Sequence, residues 1–290
     1  MVLTNPNVHL LTDAEIRKVQ TLLLSMMDDI HAFCKKHGIR YVMSGGCALG
    51  AIRHGGFIPW DDDIDLSLPR SDYERFCRLF PAEFADRYEL QEVRRTKGYD
   101  LNFAKIRKKG TRFVEPLDSD VGSQGVFIDL FPVENVRDFA PLRGLQWFLS
   151  DGLQFVCSCI RIRKKRKKLY ALAGDDETAK KAIRQKSVIA LPFCILPFRA
   201  WLLLTEWVLR RRRNPNSRYV AIPTGGKHFK GETYPRDWLF PPKEMDFAGH
   251  TFCAMNRPRN YLSQMYGDYE TIPPEEKRER HALLSFSIHE

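Results

Sequence analysis

SGGCALGAIRHGGFIPWDDDIDL, residues 44–66, is the stretch from which the rest of the chain is read. Gly45-Gly46 precedes a short segment of helical character, Cys47 to His54, and Gly55-Gly56 stops it. Phe57 to Trp60 then leads into Asp61-Asp62-Asp63-Ile64-Asp65. Ile64, Leu66 and Leu68 alternate with polar residues, the pattern of a strand with one buried face. Residues two apart on a strand share a side, so Asp63 and Asp65 point together while Ile64 and Leu66 enter a core. Two such carboxylates repel unless a cation lies between them, and hard oxygen ligands favour Mg²⁺ or Mn²⁺. The glycine pair lets backbone come close to a phosphate, and the helix behind it aims free amides there. A solvated acidic turn is the plain alternative, but Trp60, Ile64 and Leu66 fit poorly in one.

Working outward, Thr12-Asp-Ala-Glu15 is a capping box. Ile16, Val19, Leu23, Met26, Ile30 and Phe33 follow at helical spacing up to Gly38. Arg40 to Ser44 reads as a short strand. Ser71-Asp-Tyr-Glu74 reads as a second capping box opening a helix to about Phe80, and Tyr88–Val93, Asn102–Arg107 and Val126–Phe131 as strands. Residues 10–137 thus form a mixed α/β (α+β) unit. Two-metal phosphoryl chemistry calls for a third carboxylate. Asp129, alone among apolar residues in Val-Phe-Ile-Asp-Leu-Phe-Pro, is the best candidate. A buried carboxylate needs a partner, so a structural ion pair is its alternative role. Asp61 and Asp62 either support the site or face solvent. Residues 138–215 read as helical with a turn near Gly174-Asp-Asp176. In the remainder, 216–290, Asn214–Trp238 reads as loops and Tyr261–Tyr266 as a short helix.

The net charge of +10 is local. Residues 161–168, RIRKKRKK, hold seven positive charges and residues 210–213 four more, and the remaining 35 Lys and Arg face 36 Asp and Glu. Two basic patches suit an anionic surface such as a membrane. RIRKKRKK carries no interleaved aromatic residue, so no specific nucleic acid is expected. The seven cysteines form no C-x-x-C, which excludes a zinc knuckle or thioredoxin motif and suits reduced thiols. No basic and apolar leader is legible at the N-terminus. The protein is expected in the cytoplasm, with a peripheral place on the inner membrane face. Residues 188–209 are as long as a membrane span yet contain Pro192, Pro197, Arg199 and Glu206. Charge and proline weigh against a span, leaving a core helix or one lying in a membrane interface.

The 44–66 run resembles the signature of the LicD family, phosphorylcholine-transferase-like proteins of the nucleotidyltransferase fold related to fukutin-related proteins. The likeness extends to Asp72-Tyr73, Phe103-Ala-Lys-Ile106 and Ile128-Asp-Leu-Phe-Pro132. It continues in Tyr261-Leu262, Tyr266-Gly-Asp-Tyr269, Pro273-Pro274 and His281. The resemblance implies a nucleotidyltransferase-like catalytic core at 10–137, a helical insertion at 138–215, and a 216–290 section completing the site. It implies transfer of phosphocholine or a similar phospho-alcohol from a CDP-activated donor, such as CDP-choline, to a sugar hydroxyl. The acceptor would be a surface glycan or glycolipid, teichoic acid or lipopolysaccharide. Asp63 and Asp65 would hold the metal and Asp129 complete the site or act as base. Gly45, Gly46 and Arg53 would lie near the diphosphate, with Lys105 neutralising charge there. Cys47 departs from the small hydroxyl residue usual in the family, and Ala248 stands where an acid is expected. His281 either touches substrate or is a capped, exposed helix histidine, the preferred reading, and it carries no catalytic assignment. Two other readings stand beside this one: nucleotide transfer from an NTP to RNA or a small molecule, and a non-catalytic membrane-surface adaptor.

Overall fold

The computed structural model describes residues 8–210, 214–278 and 280–288. β1 (His9–Leu10) precedes α1 (Asp13–His37), whose capping box forms as read: Thr12 N–H donates to Glu15 at 2.8 Å and Glu15 N–H to the Thr12 hydroxyl at 3.3 Å. Gly38, at φ 58°, closes the helix in the left-handed conformation that glycine adopts without strain. β2 (Val42–Met43) leads into α2 (Gly45–His54), so the glycine pair lies inside the first helical turn rather than before it. β3 (Asp65–Pro69) runs directly into α3 (Arg70–Phe84). The Ser71 capping box does not form. Pro69 occupies the cap position, and the Asp72 carboxylate accepts from Arg40 at 2.7 Å instead.

β4 (Tyr88–Gln91), β5 (Ala104–Lys108), β6 (Thr111–Val114) and β7 (Phe127–Asn135) follow. The helical stretch comprises α4 (Ala140–Ala173), α5 (Glu177–Ile189), a 3-10 turn at Leu191–Ile195 and α6 (Phe198–Arg210). Pro192 and Pro197 sit at this elbow, where a missing N–H and a fixed φ break helix continuity. Among the described residues no helix is long and apolar enough to cross a membrane. The Asn214–Trp238 region is more ordered than its composition implies. It holds β8 (Tyr219–Ala221), α7 (His228–Gly231), β9 (Thr233–Pro235) and α8 (Arg236–Leu239). β10 (Lys243–Phe247) and β11 (His250–Ala254) form a hairpin, before α9 (Pro258–Tyr266), β12 (Ala282–Leu283) and β13 (Ser285–Ile288). Arg211, Arg212 and Arg213 of the second basic patch lie outside the described residues.

The main sheet has the order β2-β3-β7-β5-β4, with β8 and β9 added beyond the far end of β7. β3 and β7 are parallel, and the other pairs in that order are antiparallel. Period-two alternation decides the rest. Leu66 and Leu68 of β3, Ile128 and Leu130 of β7, and Ala104 and Ile106 of β5 join one core with the buried stripe of α1 and with Phe76 and Phe80 of α3. The residues that alternate with these, Asp65 before Leu66, Asp129 and Lys105, are left on the opposite face.

Candidate active site

Backbone register assembles the centre of the site. Asp65 of β3 lies opposite Asp129 of β7, and Asp129 lies opposite Lys105 of β5. Three charged side chains therefore stand in one row across three adjacent strands, about 4.8 Å apart in the pairing direction. Lys105 Nζ is 3.1 Å from Asp129 Oδ1 and 3.3 Å from Glu115 Oε2, and 3.3 Å from the Phe127 ring centre. The lysine is 4% exposed, so it is a buried counter-charge rather than a solvated strand residue. Burial would strip its proton, but Asp129 and Glu115 outweigh burial and hold its pKa above the ordinary value.

The acidic loop ahead of β3 is a constructed turn. Asp61 N–H donates to Ile58 at 2.9 Å, and Gln20 of α1 donates to the Asp61 carbonyl at 2.8 Å. Cys47 replaces the missing hydroxyl with sulfur. Asp65 N–H donates to its Sγ at 3.4 Å, and the thiol donates to the Asp63 carbonyl at 3.8 Å. Burial, reinforced by Asp65, pushes the Cys47 thiol well above its usual pKa, so it stays protonated for that bond.

Gly45 and Gly46 have a double reason to lack side chains. A Cβ on Gly45 would overlap Asp65 Oδ2, and one on Gly46 would overlap Asp61 Oδ2. Gly45 also holds φ 55°, a left-handed conformation that strains other residues. The pair thus brings two carboxylates against the first turn of α2, where the helix dipole favours negative charge. Tyr261 of α9 takes the Gly45 N–H at 3.0 Å, fixing that turn from the C-terminal side.

Charge in this cluster is strongly unbalanced. Burial raises the pKa of Asp63, and raises Asp61 and Asp65 well above the carboxylate range with reinforcement from neighbouring aspartates. Burial also lifts Asp129 to about 7 against the pull of Lys105. Glu115 goes the other way, because its burial is outweighed by Lys105, His281 and Arg107 together. His281 is the second cation. It lies just before β12 rather than on a helix, with Nδ1 2.5 Å from Asp62 and Nε2 3.9 Å from both Asp63 and Glu115. Burial opposes its protonation, but the Asp62 hydrogen bond and the Asp63 charge push its pKa up to about 11. Six carboxylates (Asp61, Asp62, Asp63, Asp65, Glu115, Asp129) thus meet two cations. Asp129 Oδ1 is buried against Lys105 Nζ at 3.1 Å.

Arg53 is not brought into this group. It lies in the last turn of α2, eight residues or about 12 Å from Gly45, and donates to the Tyr269 carbonyl at 2.8 Å. Ala248 has φ 51° at the β10–β11 turn, and its N–H donates to the Gly55 carbonyl at 2.7 Å. It packs against the glycine stop of α2. Sequence reading missed Glu115 and Tyr266, and read His281 wrongly. Each depends on distant chain, with no local signal: β12 pairs with β1 and β13 with β6, which carries the C-terminal segment to the acids. The Tyr266 hydroxyl is raised by burial and then by Asp65 and Asp61, which places it on the rim of the cluster.

The carboxylates are the residues that could hold a metal. Among the described residues, no three side chains already stand in the geometry of a closed metal site. The donor set nevertheless fits a hard divalent cation: oxygen ligands, and negative charge in excess of the two cations Lys105 and His281.

Residues 38–147, which include all of this row, match the LicD/FKTN/FKRP nucleotidyltransferase domain. The lipopolysaccharide cholinephosphotransferase LicD of Haemophilus influenzae is 28% identical over 269 residues, covering 92% of this chain and 96% of that protein. The ribitol 5-phosphate transferase FKRP of human and of mouse is 54% identical over 46 residues, 16% of this chain and 9% of each relative. Fold, site and matches together define a transferase of phosphate-containing groups. Residues 38–147 thus carry a LicD-family domain, and the likeness to the Haemophilus influenzae relative runs over nearly the whole chain.

Proposed function

We propose that the protein moves phosphocholine or a similar phospho-alcohol from a CDP-activated donor to a hydroxyl of a cell-surface glycan, teichoic acid or lipopolysaccharide. The reading is carried by the row Asp65–Asp129–Lys105 with Asp63 beside it. It draws support from the Haemophilus influenzae relative, named a lipopolysaccharide cholinephosphotransferase, whose likeness spans nearly the whole chain. Asp63, Asp65 and Asp129 would hold Mg²⁺ or Mn²⁺, which when bound supplies positive charge to the donor phosphates. Gly45 and Gly46, with Asp65 and Asp61 packed against them, would lie near the diphosphate. The acceptor oxygen attacks phosphorus, the bond to the CMP oxygen breaks, and the hydroxyl proton passes to a carboxylate. Asp129 would either complete the metal site or take that proton as base. Lys105 keeps Asp129 and Glu115 in place. His281 orients the acidic loop through Asp62.

The acceptor is reached from the cytoplasmic side at an anionic membrane surface. A donor screen tests the reading. With Mg²⁺, purified protein releases CMP from a CDP-alcohol and leaves NTPs unused. Incorporation of nucleotide from an NTP would establish the alternative chemistry instead.

A further inference from the structure

We propose that the elbow between α5 and α6, with the outer face of α6, is a membrane-docking surface that seats the protein on an anionic lipid bilayer. The proposal deepens the reading of a membrane-borne acceptor and rests on it for its purpose. Its test reads binding, not transfer.

α6 has two unlike faces. Leu202, Thr205, Glu206 and Leu209 are buried at helical spacing against the body. Glu206, the single acid between residues 178 and 210, points inward and pairs with Arg94 at 2.6 Å and Arg70 at 3.5 Å. The outer face carries Leu203, Leu204 and Trp207, all exposed. At the elbow Leu191, Ile195 and Leu196 are exposed as well, Ile195 at 87%. The elbow is built rather than loose. The Trp201 indole donates to the Phe193 carbonyl at 2.8 Å, and Cys157 of α4 meets Thr205 at 3.5 Å. A continuous apolar surface held this firmly toward solvent calls for a partner.

Charge identifies the partner. Residues 140–210 hold fourteen Lys and Arg against five Asp and Glu, nine of the chain's ten net positive charges. With its only acid buried and Arg210 paired with Glu74 at 2.8 Å, the surface from 188 to 210 presents apolar side chains and Arg199, a pairing a lipid interface accepts. Lys164 stays exposed above the Phe198 ring at 5.3 Å, and Arg199 is exposed within the elbow. The basic run itself is partly committed elsewhere. Arg161 and Lys165 each lie 3.3 Å from Asp100, and Lys168 lies 3.7 Å from Asp120. The docking element is therefore the elbow and its flanking cations, lying in the interface without crossing the bilayer.

The test is co-sedimentation of the whole chain with vesicles of phosphatidylcholine alone and of equal phosphatidylglycerol and phosphatidylcholine. The wild type binds the anionic vesicles, binds less as salt rises, and shows a blue shift of tryptophan emission that Trp207→Phe diminishes. The double variant Ile195→Asp, Leu196→Asp lowers partition about tenfold with its near-UV circular dichroism unchanged, since both side chains are exposed. Absence of vesicle binding at low salt overturns the proposal, as does a double variant that folds and binds undiminished. Equal binding to neutral vesicles removes its anionic element. Self-association that the double variant abolishes, without lipid binding, reassigns the face to a second copy of the chain.

Discussion

The β3–β7–β5 row and the α5–α6 elbow handle awkward side chains in opposite ways. In the row, carboxylates are pressed together out of water, and Lys105, His281 and the first turn of α2 offset only part of their charge. At the elbow, apolar side chains are pushed into water, where nothing within the described residues covers them. Both arrangements are locally unfavourable, and each is held by well-ordered structure around it: strand register in one case, the α4–α6 packing in the other. An unfavourable feature held firmly in place marks function more reliably than a favourable one, because stability alone would remove it. The contrast also separates their consequences. Changes in the row should move activity and stability together, and changes at the elbow should move neither.

The largest effect is expected at the carboxylates. Asp63→Ala or Asp65→Ala lowers CMP release about 10³-fold with the circular dichroism spectrum intact. Retained turnover in both variants would break the row's assignment. Stability sharpens it further. Burial raises the pKa of Asp65, so its ionisation weakens the fold as pH rises above the unfolded value. In chelator at neutral pH, Asp65→Asn is therefore more stable than the wild type, and the difference fades as pH falls through the unfolded carboxylate range. Adding Mg²⁺ raises the melting temperature of the wild type and not of the variant. Next in size is Lys105→Met. It leaves Asp129 and Glu115 buried without their cation, a loss of about 3 kcal/mol measurable by urea unfolding. A change inside a few tenths would mean the lysine is not the counter-charge its distances describe.

How much of this was legible follows from the range of the interactions. α1, with its capping box and apolar stripe, was legible because every cause lies within four residues. Asp65 was legible on the same ground, since alternation on a strand is local, but Asp63 lies in the loop ahead of β3 and not on the strand as read. Asp129 stood out as one acid among apolar neighbours, although its register against Asp65 is a tertiary fact. Lys105 was picked out, but its work was not, because an ion pair across strands leaves no trace in spacing. His281 was read as a helix residue because only the pairing of β12 with β1 carries it to Asp62. The Ser71 box failed for a local reason: Pro69 starts the helix earlier and Arg40 claims Asp72. The 188–209 run defied hydropathy because its apolar residues divide between an inner and an outer face, and because an ion pair accounts for Glu206.

The smallest expected effect belongs to the elbow, and its smallness is the point. Leu204→Ser with Trp207→Ser removes two large apolar side chains. In a core such a pair of truncations would cost several kcal/mol through lost burial and cavities. Here both face solvent, Trp207 at 50% exposure, while the contacts that hold α6 come from Leu202, Thr205, Glu206 and Leu209 on the other side. The expected change in urea-unfolding free energy is within about 0.5 kcal/mol, and CMP release with a soluble acceptor is unchanged. A loss of about 2 kcal/mol or more would show that these side chains pack within the protein in solution, and the contrast between a strained interior row and an exposed outer face would collapse. If stability holds, natural selection for the fold does not explain two large apolar side chains left exposed at those positions, and a ligand for that face does.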